Sequence, residues 1–146
     1  MVGEKGAIAV SFLVSATLLL LILVLIIDFG ILWNYNAELE RAVDAAALAG
    51  ASEVYVSRQV DGLGTVYWQN IYLDGARARQ TAQSTLDQNL AKFIKQGVTV
   101  KSVNININGF EVEVIVTLDA RHYFTALSGF RSTEITKRAV ATYAGP

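Results

Sequence analysis

His122 is the one histidine in a chain of 146 residues, and it stands close behind Asp119 and Arg121. An imidazole gathered with a carboxylate at a turn is equipment for general acid–base work. Nucleophilic chemistry also needs a serine or cysteine activated beside the base. The chain has no cysteine, and no serine motif adjoins His122. A lone histidine at a strand end therefore reads as a surface or turn residue. Glu111 and Glu113 are two positions apart and share one face of a strand, which superficially suits a carboxylate pair. They alternate with Val112 and Val114, so a solvated outer face is the better account. Gly62 and Gly64 sit in a loop-like stretch and do not link a strand to a helix, as a phosphate cradle does. No catalytic, cofactor or metal site is expected, and the chain reads as a non-enzyme.

The elements around these residues explain the composition. Hydrophobic residues make up 53% of the chain and charged residues 17%, which is too apolar for an ordinary soluble domain. The excess is local: Gly6 to Ile27 carries no charge and ends in "LLLLILVLII". At about 1.5 Å per residue these positions form a helix of about 33 Å, enough to cross a hydrocarbon core of about 30 Å once. A removable signal peptide is the competing reading. The run exceeds the usual apolar region of roughly 7 to 15 residues, and no small-residue cleavage site follows it closely. A retained anchor is expected.

Lys5 precedes the span, whereas Glu38, Glu40, Asp44 and Glu53 outweigh Arg41 after it. The positive-inside rule then places the N-terminus in the cytoplasm and the rest outside. Without cysteine, the outer part is held by packing alone. Basic residues are scattered rather than clustered with aromatics, so nucleic acid is not expected as a partner; membrane lipid is.

The only proline is Pro146, so nothing breaks a helix from Ala7 until Gly50. Such a helix is about 65 Å long and must project beyond the membrane. On the projecting part, Leu39, Val43, Ala46 and Gly50 follow steps of four and three, with Ala42, Ala45 and Ala49 on the same side. Small residues let another layer approach closely, and this face is expected to pack either against the chain's own outer domain or against other subunits. Asp28 and Trp33 mark the anchor boundary, the carboxylate reaching headgroups and Trp33 and Tyr35 serving as aromatic anchors.

The outer part reads as α+β. Residues 52–73 suggest an irregular loop because of "VDGLGTVYWQN". Asp74 can cap a helix over about 75–96 that shares Ala82, Leu86, Leu90 and Phe93 on one face and stops at Gly97. "VTVKSVNININ" and "FEVEVIVTL" alternate around Asn108-Gly109, a strong hairpin signal, and a slip of phase predicts a bulge near Ser102. A short segment around "HYFTALSGF" follows, and Ser132 to Tyr143 supplies a third strand. The expected architecture is a long transmembrane helix continuing into an outer domain, where one further helix covers a three-stranded antiparallel sheet. The expected divisions are a cytoplasmic tail at 1–6, an anchor at 7–33, an alanine-rich projecting helix at 34–51 and the outer domain at 52–146.

"GAIAVSFLV" opening the anchor and "DFGILWNYNAELERAVDAAALAGA" closing it, followed by a tail of strands, resemble the TadE/TadG-like proteins of Tad (tight adherence, Flp-type) pilus assembly. The match is specific over Gly6 to Ala51 and architectural beyond it. The resemblance implies a protein of the bacterial inner membrane that is either a minor pilin or pseudopilin, incorporated in an extracellular pilus, or an assembly or priming factor outside the filament. Its implied partners are other pilus subunits or the assembly platform, in homo- or hetero-oligomers. It also implies prepilin-type processing after Gly6, with Gly3 before Glu4 as a weaker site. The fifth position beyond Gly6 holds Ser11 where the family pattern has glutamate. Larger members add a von Willebrand factor type A domain with an Asp-x-Ser-x-Ser metal site, and this sequence has no such motif.

Overall fold

The structure is a computed structural model, and it describes residues 2–122 and 132–143. Helix α1 runs without interruption over Val2–Ala51. At about 1.5 Å per residue it is about 75 Å long. Gly6 and Gly30 have open space beside them and do not interrupt the helix. Thr17 hides its hydroxyl by donating to the Leu13 carbonyl at 2.8 Å, the usual solution for a hydroxyl in an apolar helix. The helix ends after Gly50, where the Ser52 hydroxyl donates to the Ala49 carbonyl at 2.7 Å.

Two halves of α1 have opposite surroundings. Large apolar side chains from Ile8 to Phe29 are exposed on every side of the first half. In the second half Tyr35, Leu39, Val43, Ala46, Ala47 and Ala51 are buried at helical spacing. The change tracks the sequence: the uncharged run is apolar all round, and the later half confines its apolar residues to one stripe.

Helix α2 covers Gly75–Lys95, and the Asp74 side chain caps it by accepting from the backbone N–H groups of Ala76 and Arg77, both at 3.1 Å. Its buried residues, Ala78, Ala82, Leu86, Leu90 and Phe93, form the expected stripe. Strands β3 (Thr99–Asn108), β4 (Glu111–Arg121) and β5 (Ser132–Thr142) form an antiparallel sheet with β4 in the centre. Val112, Val114, Val116, Leu118 and Ala120 alternate inward from β4 and are fully buried under the two helices. Ile105 pairs with Val114 and Ile107 with Val112, and the ladder slips between Val100 and Ser102, where the bulge was expected.

Two expectations change. Residues 52–73 are a β-hairpin, with β1 at Val54–Val60 and β2 at Val66–Leu73, forming a separate two-stranded sheet. Both glycines of the stretch lie in its turn, where the Asp61 carboxylate accepts from Leu63 N–H at 3.0 Å and Thr65 N–H at 2.7 Å. The flanks are free of glycine and rich in β-branched and aromatic residues, which suit a pleated strand. At the β3–β4 turn, the last pair is Asn108 with Glu111, so Gly109 and Phe110 are the central residues rather than Asn108 and Gly109. Only Gly109 has positive φ, at 61°, as a II′ turn requires of its first central position. The segment around "HYFTALSGF" falls, beyond His122, outside the described residues.

Candidate functional site: the anchor helix and its docked face

Within the proposed packing stripe, Leu39, Ala42, Val43, Ala46 and Gly50 are all buried, and Ala49 is half-buried. They meet the chain's own α2 and β4. A methyl group built on Gly50 would lie 3.0 Å from the Ala78 carbonyl oxygen, 3.0 Å from Val112 Cγ1 and 3.1 Å from Ala82 Cβ. The small residues therefore let two helices and the sheet converge at near-backbone distance. Ala139 and Ala141 extend the small-residue surface on β5, which also packs against α1. Tyr35 adds a tilted ring contact with Phe93, centroids 6.0 Å apart. These positions are covered from within the chain.

The domain stands directly on the end of the apolar span. Gln96, just beyond α2, shares a groove with Ile27, Gly30, Ile31, Asn34 and Tyr35. On the other flank, Phe29, Leu32, Trp33 and Asn36 share a groove with Thr133 to Thr136 of β5. Asp28, expected among headgroups, is only 4% exposed within the chain. Trp33 is 78% exposed.

Polar groups hold the assembly at its edges. Lys137 of β5 donates to the Glu40 carboxylate of α1 at 2.8 Å, and this contact holds Glu40 below the usual carboxylate range. On the outer sheet face, Glu113 accepts from Asn106 at 3.0 Å and from Arg138 at 2.5 Å, which also lowers its pKa. Lys101 pairs with Glu134, and that hydrogen bond raises the lysine pKa. The carboxylates at 111 and 113 thus belong to a solvent-facing ladder, with Glu113 taken up in cross-strand pairs. His122 Nε2 lies 2.8 Å from the Thr133 hydroxyl, linking the ends of β4 and β5. Among the described residues, no three His, Cys, Asp or Glu side chains are grouped to hold a metal.

Lys92 and Lys95, in the last turn of α2, form no ion pair among the described residues and are not singled out by the sequence. Their position at a helix end could have been read, but not that this end points toward the apolar span.

These features define a class: a single long helix, bare and apolar along its first half, with an α+β head packed on its second half. Residues 6–48 match the model of the family described as TadE-like protein, so the N-terminal part of the chain is a TadE-like domain. That family is associated with Tad pilus assembly, and the matched segment lies entirely within α1. Comparison with curated proteins and with solved structures gives no match.

Proposed function

We propose that this chain is a membrane-anchored, pilin-like subunit, a minor pilin or pseudopilin of a Tad/Flp-type pilus, that assembles through its N-terminal helix. The observation that carries the reading is the contrast within α1. Its second half carries a stripe buried against the chain's own domain, whereas its first half exposes Ile8, Phe12, Leu19, Leu23 and Ile26. Such a surface is at rest in lipid, and it can exchange lipid for the helices of other subunits at little cost in apolar burial. The head stays outside the inner membrane and the N-terminus inside. In this reading the divisions are the tail 1–6, the anchor 7–33, the helix 34–51 now embedded in the head, and the head 52–146. The protein works by contact rather than catalysis, in keeping with a family that is generally non-enzymatic.

A second reading is favoured by Ser11. It stands at the fifth position after Gly6, so the chain lacks the carboxylate that pairs with a neighbouring subunit's amine. An assembly or priming factor that binds the secretion platform needs no such pair. Shearing pili from cells that produce the chain separates the two: a subunit appears in the filaments, and an assembly factor stays with the inner membrane.

A further inference from the structure

Three cations, Lys92, Lys95 and Arg121, lie on the side of the head that faces the apolar span. Helix α2 runs antiparallel to the outer half of α1, with Ala78 near Gly50 and Phe93 against Tyr35, so its last turn points toward the apolar span, and Gln96 just beyond it shares a groove with Ile27, Gly30 and Ile31. Its last turn carries Lys92 and Lys95 and no carboxylate. Ile94 between them is 62% exposed although it is a large apolar residue. Arg121, exposed at the end of β4, pairs in register with Ser132, the first residue of β5. The next residues of β5 share a groove with Phe29, Leu32 and Trp33, so Arg121 also lies at the base. Lys92 shares a groove with Glu38 and Arg41 without an ion pair, and Asp119 is the nearest carboxylate to Arg121 along its strand. Lys101 is already taken by Glu134.

We infer that this rim, Lys92, Lys95 and Arg121 around exposed Ile94 and Trp33, docks on the anionic headgroups of the bilayer that α1 spans and holds the head flush against the membrane. The inference rests on the membrane-anchor reading and goes beyond it. Two observations choose the occupant. The rim continues the apolar surface of the span without a stalk, and attraction of its cations to phosphates acts over a Debye length of about 8 Å at physiological salt. Its charge is complementary to acidic lipid, and its exposed Ile94 and Trp33 suit the boundary between headgroup and hydrocarbon. Lysines in a last turn also favour the helix dipole. That role accounts for neither Arg121 nor the exposed isoleucine.

The test uses the full chain in vesicles, with Ile94→Cys as its sole cysteine, carrying a spin label, and Leu63→Cys at the far hairpin turn as a control. In vesicles containing phosphatidylglycerol, the label at position 94 should be relaxed by a headgroup-bound nickel chelate. This contact should be largely lost in pure phosphatidylcholine, at high salt, or after Lys92→Gln, Lys95→Gln and Arg121→Gln together. The label at 63 should respond to none of these changes. A melting curve near that of the parent shows that the triple variant is folded. Contact at 94 that ignores lipid charge and salt overturns the docking while the anchor stands. Release of the chain by carbonate overturns both. Protection of position 94 only in cells assembling pili, with no lipid dependence in vesicles, assigns the rim to a protein partner and also overturns the proposal.

Discussion

Gly50 of α1 and Ala78 of α2 meet at backbone distance: a β-carbon on Gly50 would lie 3.0 Å from the Ala78 carbonyl oxygen. That contact sets how closely the two helices approach over the sheet, and it makes the head and the outer half of α1 a single packed unit. Gly50→Ala gains about 1 kcal/mol of helix propensity. The gain is expected to be outweighed by an overpacking cost of about 1–3 kcal/mol, because the neighbours are backbone and fully buried side chains. Thermal melting of the detergent-solubilised monomer should show the loss, and an unchanged or raised Tm would show that the helices can part freely.

Ala46→Leu at a fully buried position is expected to lower monomer stability by a similar amount, about 1–3 kcal/mol. Leu48→Ala, at a site 65% exposed, should stay within about 0.5 kcal/mol of the parent. Urea titrations of both variants check the contrast. A normal midpoint for Ala46→Leu would mean that the stripe is not the tight interface described.

At the β3–β4 turn, Gly109 has φ of 61°, which a β-branched residue does not tolerate. Gly109→Val should therefore destabilise the head by more than about 1 kcal/mol, seen as faster proteolysis. Gly62→Ala, in open space and without positive φ, should be tolerated. Equal resistance of the two variants would contradict the turn geometry.

Glu113 and Glu40 are held below the ordinary carboxylate range by Asn106 and Arg138 and by Lys137 respectively. A lowered folded pKa binds fewer protons than the unfolded chain, so its stabilisation is complete above the unfolded pKa and is lost as pH falls through the folded one. Stability should decline on acidification below the ordinary carboxylate range, more shallowly in Glu113→Gln. Both sites are solvent-facing, so the slope is expected to be small and reduced by salt. An identical acid slope in parent and variant would remove Glu113 from the account.

Much of this molecule was legible because its signals are periodic. Leu39, Val43, Ala46 and Gly50 announce a buried stripe by their spacing, Asp74 and Gly97 bracket α2, and the alternation from Val103 to Val116 gives a hairpin with its bulge. What could not be read was what lies opposite each surface. The stripe does not say that Ala78 and Val112 cover it, because those residues are distant in sequence. Asp28 reads as a headgroup contact in the sequence, since nothing local announces that it is buried within the chain. The hairpin over Val54–Leu73 was obscured by Gly62 and Gly64, which form its turn rather than disrupt its strands. Glu113 and Arg138 became partners only through a strand register that the sequence does not specify by itself.

Membrane attachment should depend on the uncharged half of α1. Leu20→Arg places a cation at its centre at a cost of about 2.5–3.5 kcal/mol on insertion scales. The variant should be partly extractable by carbonate, and full resistance would contradict the anchor assignment.

The central claim is that the bare half of α1 leaves lipid to pack against other subunits in a filament. Since the chain has no native cysteine, Leu19→Cys places a single thiol on that surface, at a position 67% exposed in the isolated chain. Cells making this variant are labelled with maleimide–benzophenone, which joins one thiol to any neighbouring C–H on irradiation, and the irradiated, sheared pili are probed for the chain. The expected result is the chain in the filament fraction, crosslinked through position 19 to another subunit. Complete pili that lack the chain, with the variant uncrosslinked in the inner membrane, would contradict the claim.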